Sequence, residues 1–211
     1  MNGLRTHVAT SRLRLLQGHD RRRIRPEPFT IVSNDCWGPE VYQHLDRPYT
    51  TPFVGMFIQG PCFLRLLKDL DRYLGAPLEF TERSSYDDVQ GPRDSGQVPE
   101  TPIGVLAGDV EIHFVHLPNE AEAREKWERR VARINPDRLA VKACTGKDGF
   151  TDELLREFDA LPYERKVVLS DRPLPGIAST VVLKPYVTNG ALQFPYSRER
   201  FDVVRWLNGP D

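Results

Sequence analysis

The sequence predicts an α/β fold, a single domain in which a mixed β-sheet is flanked by helices. Short apolar, β-branched segments alternate with segments of helical periodicity along the chain. The length of 211 residues suits one domain. A chain of about this size can bury roughly 70% of its unfolded surface, so we expect a sizeable core. We assign residues 26–211 to the domain and residues 1–25 to a basic N-terminal arm or helix.

The N-terminal arm is rich in arginine. Seven arginines and a single acid, Asp20, lie between Arg5 and Arg25. A solvated arm and an amphipathic helix that makes peripheral contact with a membrane both fit this pattern. The whole chain has a net charge of −1, so no global field attracts it to nucleic acid. We therefore expect no nucleic-acid partner.

The first half of the chain predicts three strands and two helices. Pro39 occupies a typical first position of the shorter helix, and leucines at helical spacing in the longer one precede a stop at Gly75. Residues 81–101 are polar and rich in turn formers, which predicts a long surface loop or a lid. The predicted strands are residues 29–33, 53–58 and 77–80, and the predicted helices are residues 40–45 and 60–74.

The second half predicts a hairpin followed by alternating helices and strands. Ala107 and Gly108 form the tight turn of the hairpin. Asn119 caps the strongest helix, with Glu122 three residues later as in a capping box. The predicted strands are residues 103–106, 109–115, 139–143, 166–170 and 180–183, and the helices are residues 119–134, 151–158 and 197–207.

Cysteine usage and the N-terminus favour a cytoplasmic protein. Cys36, Cys62 and Cys144 are odd in number and have no CxxC spacing, which argues against a disulfide framework and a zinc ribbon. The N-terminus has no apolar region typical of a signal peptide. The fingerprints GxGxxG, Walker A, HExxH and GxSxG are absent from the sequence. We expect no cofactor and no metal.

The segment Phe29-Thr-Ile-Val-Ser-Asn-Asp-Cys-Trp-Gly38 is the strongest candidate for a functional centre. Cys36 follows a strand and precedes a helix, where α/β folds place chemistry and where backbone N–H groups stabilise a thiolate. Ser33, Asn34 and Asp35 can supply hydrogen bonds to a substrate, and Trp37 and Gly38 complete the site. The structural alternative is that Cys36 and Trp37 simply pack beneath a tight turn.

Two further groups complete the candidate site. His113 or His116 can act as general base for Cys36, although a lone histidine on a strand is more often structural. We prefer His113, because strand alternation places it on the same face as Glu111. Arg129 and Arg130 lie on one helical face and can hold an anionic group, whereas a solvated surface is the alternative.

Several motifs resemble an uncharacterised bacterial family whose members are often labelled exopolysaccharide-biosynthesis proteins. The resemblance covers residues 29–38, 49–55 and 109–116 together with residues 126–135. The family pattern has Asn where this chain has Asp35 and Gly where it has Pro39. The resemblance implies a shared fold and a setting in surface-glycan biosynthesis, and it supplies no catalytic residues.

The residues support three hypotheses of function, each with a small-molecule or sugar-containing substrate. The first is a transferase, for example of acyl groups, in which Cys36 attacks the donor and Asn34 stabilises the oxyanion. The second is a non-catalytic protein that binds a glycan precursor or acts as a scaffold. The third is a metal-independent glycosyltransferase. The sequence assigns no oligomeric state.

Overall fold

The computed structural model describes residues 15–183 and 190–209, with only the backbone given for residues 190–193. The arginines of the predicted arm that precede residue 15 lie outside the described residues. The α/β class is confirmed: helices flank one parallel and one antiparallel sheet in a single domain. The strands therefore form two sheets and not one mixed sheet.

The parallel sheet contains four strands, which lie side by side in the order β1 (Thr30–Ser33), β5 (Leu139–Cys144), β6 (Arg165–Ser170) and β7 (Thr180–Val182). Strands β1 and β5 pair in a register that places Ser33 beside Lys142. Because both strands run in the same direction, the residues that follow them meet at one edge of the sheet. This edge is where an open parallel sheet usually carries its site.

The antiparallel sheet consists of β2 (Leu78–Thr81), β3 (Ile103–Leu106) and β4 (Val110–His113). The predicted hairpin is confirmed, and its turn residues Ala107 and Gly108 both have positive φ. The predicted strand at residues 53–58 is wrong. Among the described residues it contributes only a single antiparallel bridge, between Phe57 and His113.

Nine helices lie in the described part of the chain. Residues 15–23 form α1. The others are α2 (Trp37–Leu45), α3 (Gly60–Lys68), α4 (Leu70–Gly75), α5 (Asp87–Asp94), α6 (Glu120–Val131), α7 (Asp152–Ala160), α8 (Gly190–Arg198) and α9 (Val203–Asn208). None of the helices within residues 15–183 and 190–209 combines the length and apolar character needed to cross a bilayer.

Three predictions, two of helices and one of a loop, need correction. The predicted helix at residues 60–74 breaks at Asp69, whose φ of −147° and ψ of 58° are not helical, into α3 and α4. The polar loop at residues 81–101 contains α5, even though Pro92 lies within that helix. Ser197 lies inside α8, and the last helix begins after Asp202, whose side chain accepts a hydrogen bond from the backbone of Arg205.

The core divides into two apolar clusters, one on each side of the parallel sheet. Residues that alternate along β1 belong to opposite clusters, since Ile31 packs with Trp37 whereas Val32 packs with Phe53. Gly38 permits the close approach of α2, because a Cβ there would lie 3.1 Å from side-chain atoms of Ile31. The sheet is thus buried on both faces, which explains its nearly continuous apolar strands.

A buried ionic cluster attaches α1 to the rest of the domain. Asp20 is fully buried and accepts hydrogen bonds from Arg198 at 2.5 Å and 2.6 Å and from the His44 ring at 2.7 Å. Burial alone would raise the pKa of Asp20, but these two partners outweigh it and lower the pKa to about 2. Part of the predicted basic arm is therefore packed against the domain.

The substitution Asp20→Asn should destabilise the protein by about 3–5 kcal/mol, because it leaves Arg198 buried without a counterion. Urea denaturation at pH 7 measures the loss. Asp202→Asn is the matched control, since it weakens the half-exposed contact with Arg23 and keeps the cap of α9. We expect the control to lose less than about 1 kcal/mol. Equal losses of stability in the two variants would contradict the role of the buried ionic cluster in attaching α1.

Candidate functional site

A cluster of buried charges lies where β1 and β5 end. The Asp35 Oδ2 atom accepts from Lys142 Nζ at 2.7 Å and lies 2.8 Å from Lys147 Nζ. Its Oδ1 atom accepts from the Ser33 hydroxyl at 2.9 Å and from the backbone N–H of Trp37 at 3.0 Å. The side chain of Lys142 is completely buried. All polar atoms of the Asp35 carboxylate are therefore satisfied within the protein.

The two ammonium groups decide the charge of this cluster. Burial alone would raise the pKa of Asp35, but Lys142 and Lys147 outweigh it and hold the pKa far below its usual range. The same carboxylate, with Cys144 and Asp148 nearby, raises the pKa of Lys147 despite its burial. Asp35 and Lys147 are thus both ionised at neutral pH, and the Asp35 carboxylate accepts hydrogen bonds and does not donate a proton.

Asn34 connects this cluster to the loop that follows β5. Its Nδ2 group donates to Asp148 Oδ2 at 2.7 Å. Asp148 has a positive φ of 54°, and the adjacent Gly149 has a positive φ of 64°. A Cβ on Gly149 would lie 2.7 Å from Gln59 Oε1. Burial raises the pKa of Asp148 to about 6, and the Asp35 carboxylate adds to the rise against the opposing effect of Lys147. Asp148 therefore titrates close to neutral pH.

Asp148 also borders a cavity of about 450 Å³, which lies among loops and helix α5 near the ends of β4 and β5. This volume suits a small molecule. The cavity joins residues from the segment before α3, from α5, from the end of β4 and from the loop after β5. Its lining residues are Phe57, Gln59, Asp88, Val89, Pro92, Arg93, Val98, Pro99, Thr101, His113, Val115 and Asp148.

His113 lines the cavity and is nearly completely buried. Neither ring nitrogen has a hydrogen-bond partner among the described residues. The Nε2 atom lies 3.5 Å from Glu111 Oε2, but that carboxylate is already held by Ser84 and Ser85. Burial lowers the pKa of His113 to about 4, so the ring is neutral and the contact with Glu111 is not an ion pair.

A second lining residue also carries a buried atom without a partner among the described residues. Gln59 donates through Nε2 to Asp88 at 3.1 Å, whereas its Oε1 atom has no hydrogen-bond partner in the described part of the chain. The Phe57 ring stacks on His113 with centroids 4.5 Å apart, which fixes the orientation of the imidazole. An unsatisfied buried polar group costs about 1–3 kcal/mol. Several such groups around one cavity point to a polar ligand that satisfies them.

Within the described residues, Cys36 is not paired with a histidine. The thiol is half-buried and lies 3.8 Å from the carbonyl oxygen of Met56. Both nitrogens of His113 lack a partner, so His113 does not hydrogen-bond to Cys36. Burial raises the pKa of Cys36 to about 11, and the Asp35 carboxylate contributes to the rise. Only about one thiol in ten thousand is then ionised at pH 7.

Other residues of the predicted site lie apart from the cavity. Trp37 is buried and donates through Nε1 to Ser197 at 2.8 Å, so it is a core residue. His116 is exposed. Arg129 is half-exposed and lies 3.4 Å from Glu125, and Arg130 packs over the Tyr49 ring at 5.8 Å. The structure brings together Ser33, Asn34, Asp35 and, through Asp148, His113.

Sequence reasoning missed four residues of this site: Gln59, Lys142, Lys147 and Asp148. Lys142 carried a usable signal, since a lysine within the apolar strand at residues 139–143 needs a buried counterion. The glycines on either side of Lys147 and Asp148 marked a tight loop at the end of a strand. Gln59 carried no such signal, because a glutamine before a helix is ordinarily exposed.

One group of side chains in the described residues has the spacing of a metal site. Ligand atoms of Asp35, Cys144 and Asp148 all lie within 4.8 Å of one another. The ammonium groups of Lys142 and Lys147 already neutralise Asp35, at 2.7 Å and 2.8 Å. A divalent ion would have to displace both lysines, so these residues fit an ion-pair network better than a metal centre.

Comparison with known proteins places the chain in a family. Residues 10–208 match the family described as "Domain of unknown function (DUF1919)". The chain is also 32% identical over 198 residues to a protein of Haemophilus influenzae named "Uncharacterized protein", a match that covers 89% of this chain and 88% of the relative. Because both matches span nearly the whole chain, the protein belongs to the DUF1919 family.

Proposed function

We propose that this protein is a transferase that moves a group onto a hydroxyl of a small, sugar-containing substrate bound in the cavity. The observation that carries the proposal is the juxtaposition of buried, unpartnered polar atoms with a titratable carboxyl group. His113 and Gln59 need hydrogen-bond partners, and Asp148 has a pKa of about 6 at the same cavity. A carboxyl group whose pKa lies near the working pH is well suited to general base catalysis.

In the proposed reaction Asp148 accepts the proton of the acceptor hydroxyl. The hydroxyl oxygen then forms a bond to the acyl carbonyl carbon or the anomeric carbon of the donor. The bond from that carbon to the leaving group breaks, and the proton held by Asp148 passes to the leaving group. Lys147, whose Nζ lies 3.4 Å from Asp148 Oδ2, provides a fixed positive charge beside the carboxylate. No covalent intermediate with the protein is required.

His113 orients the acceptor in this proposal. As a neutral imidazole it offers one N–H donor and one nitrogen acceptor. One hydroxyl can satisfy each of them, and the stack on Phe57 keeps the ring in place. Gln59 Oε1 accepts from another hydroxyl. A substrate with several hydroxyl groups therefore satisfies these positions. A sugar also fits the exopolysaccharide-biosynthesis label that members of the resembled, uncharacterised family often carry.

The route through Cys36 stays a prediction that differs from this proposal in its chemistry. It requires a thiolate at neutral pH and a base within hydrogen-bonding distance of the sulfur. The raised pKa of Cys36 opposes the first requirement, and the unpartnered nitrogens of His113 oppose the second. The glycan-binding hypothesis shares the cavity with our proposal and differs only in the absence of turnover.

Two substitutions separate these possibilities in a screen that combines acyl thioester and nucleotide-sugar donors with monosaccharide acceptors. We expect Cys36→Ser to keep activity within about threefold of the unsubstituted protein, because no step uses the thiol. We expect His113→Phe to lose roughly a hundredfold, because the stacked ring remains while both nitrogens are removed. Mass spectrometry of the products measures the rates.

The free energy of unfolding is the control for both variants. It should not fall in His113→Phe, since the substitution removes two unsatisfied buried atoms. Loss of turnover in Cys36→Ser, with an acyl group trapped on Cys36 of the unsubstituted protein, would overturn the acid–base route. Sugar binding without any product across the donor classes would favour a binding protein.

A further inference from the structure

We infer that the cavity binds an amphipathic substrate, whose hydroxyl-bearing head reaches the polar floor and whose apolar group rests at the mouth. This inference rests on the proposed function and names its substrate class. Three large hydrophobic side chains are exposed in the described residues, namely Leu15, Val98 and Val115. Two of the three, Val98 at 43% and Val115 at 37% exposure, line this one cavity.

The apolar mouth is built from separate parts of the chain. Val115 follows β4, whereas Val98 follows α5, and Val89, Pro92 and Pro99 extend the same apolar wall. Scattered exposed hydrophobic residues are ordinary, but their convergence at the opening of a cavity marks a binding surface. An apolar group lying between Val98 and Val115 would remove both side chains from water.

The floor of the cavity selects the chemistry of the head group. Hydrogen-bond acceptors predominate there, because Gln59 Oε1 is unpartnered and both Asp88 and Asp148 present carboxylates. Among the described residues that line the cavity, Arg93 is the single cation, and its Nη1 group already donates to the carbonyl oxygen of Thr101 at 3.0 Å. The two carboxylates outnumber this one cation in the lining, and Lys147 already offsets part of the charge of Asp148, so the floor favours an uncharged head rich in hydroxyl groups.

Head and tail therefore occupy different walls of one site. A hydroxyl-rich ring alone would leave Val98 and Val115 exposed, and an apolar molecule alone would leave His113 and Gln59 unsatisfied. A glycoside with an alkyl chain satisfies both walls at once. Each methylene that is buried against the mouth should strengthen binding roughly fourfold.

Binding of octyl β-glucoside and methyl β-glucoside tests the inference, since the two differ only in the alkyl chain. Calorimetry with octyl glucoside kept below its micelle concentration should show about tenfold or greater preference for the longer chain. In Val98→Thr/Val115→Thr, which keeps the side-chain shape, the preference should fall to within about threefold. Leu15→Gln, a change at the exposed hydrophobic residue outside the cavity, should retain it.

The inference is overturned if the unsubstituted protein shows no preference for the octyl chain, or if the double valine variant keeps the full preference. His113→Phe distinguishes this failure from failure of the proposed function. That variant should bind both glucosides more weakly and still prefer the octyl chain. Loss of the chain preference with continued dependence of turnover on His113 would discard the amphipathic substrate and leave the transferase proposal standing.

Discussion

Asp35→Asn should destabilise the protein by about 3–5 kcal/mol, because it leaves a completely buried lysine without its counterion. Lys142 has an exposed side-chain fraction of 0%, and its Nζ donates to Asp35 at 2.7 Å and to Asn34 at 3.4 Å. An amide at position 35 can accept a hydrogen bond but cannot neutralise the ammonium charge. Urea denaturation at pH 7 measures the loss.

A second substitution identifies the cause of this loss. In Asp35→Asn/Lys142→Met the buried charge is gone, and methionine has a similar shape, so most of the lost stability should return. Asp152→Asn is the surface control, because its partner Arg172 is half-exposed, and it should cost far less stability than Asp35→Asn. If the double variant is as unstable as Asp35→Asn, the carboxylate does not stabilise the protein by neutralising Lys142.

The pH dependence of this pair has a definite sign. The pKa of Asp35 is lower in the folded protein than its ordinary value, so its contribution to stability is present at neutral pH. This contribution declines as the pH falls below about 4 and the unfolded chain takes up a proton first. The Asp35→Asn protein should therefore approach the stability of the unsubstituted protein in acid.

Asp148→Asn should abolish activity and at the same time stabilise the protein. Removal of a general base typically costs about 10²–10⁴ in rate. The pKa of Asp148 rises from 3.8 to about 6 on folding, so its ionisation opposes folding progressively between about pH 4 and pH 6 and fully above that range. An asparagine keeps the acceptor for Asn34 without the charge. The gain should be about 1–2 kcal/mol at pH 8.

The measurement compares free energies of unfolding at pH 8 and pH 4. At pH 4 the native carboxyl group is protonated and neutral, so most of the advantage of the variant should vanish. Rates in the unsubstituted protein should rise through an apparent pKa near 6, and Asp148→Asn should lack this rise. A stability gain that is the same at both pH values would contradict burial of a charged Asp148.

Local sequence signals predict most of the regular elements. The hairpin at β3 and β4 follows from alternation around a two-residue turn, and α6 follows from the Asn119 cap. The prediction fails at residues 53–58, because an apolar segment reads as a strand whether or not a partner pairs with it. In the described part of the chain Phe57 pairs with His113 alone, and that pairing depends on how distant segments pack.

The sequence predicts where the candidate site lies, but it does not predict all the residues that form it. Ser33, Asn34 and Asp35 were identified because they follow an apolar strand at the edge where sites usually lie. Lys142 lies 107 residues further along the chain than Asp35, and only the parallel pairing of β1 and β5 brings the two together. The pKa values of Cys36 and Asp148 depend on burial, which no local pattern encodes.

The buried ionic cluster that attaches α1 joins residues that are synthesised at very different times. Asp20 emerges from the ribosome early, whereas Arg198 lies 178 residues later in the chain. Until α8 has been synthesised, the Asp20 carboxylate lacks both hydrogen bonds from Arg198 and keeps the longer contact of 3.7 Å with Arg23. The attachment of α1 through Asp20 is therefore complete only once α8 has been synthesised.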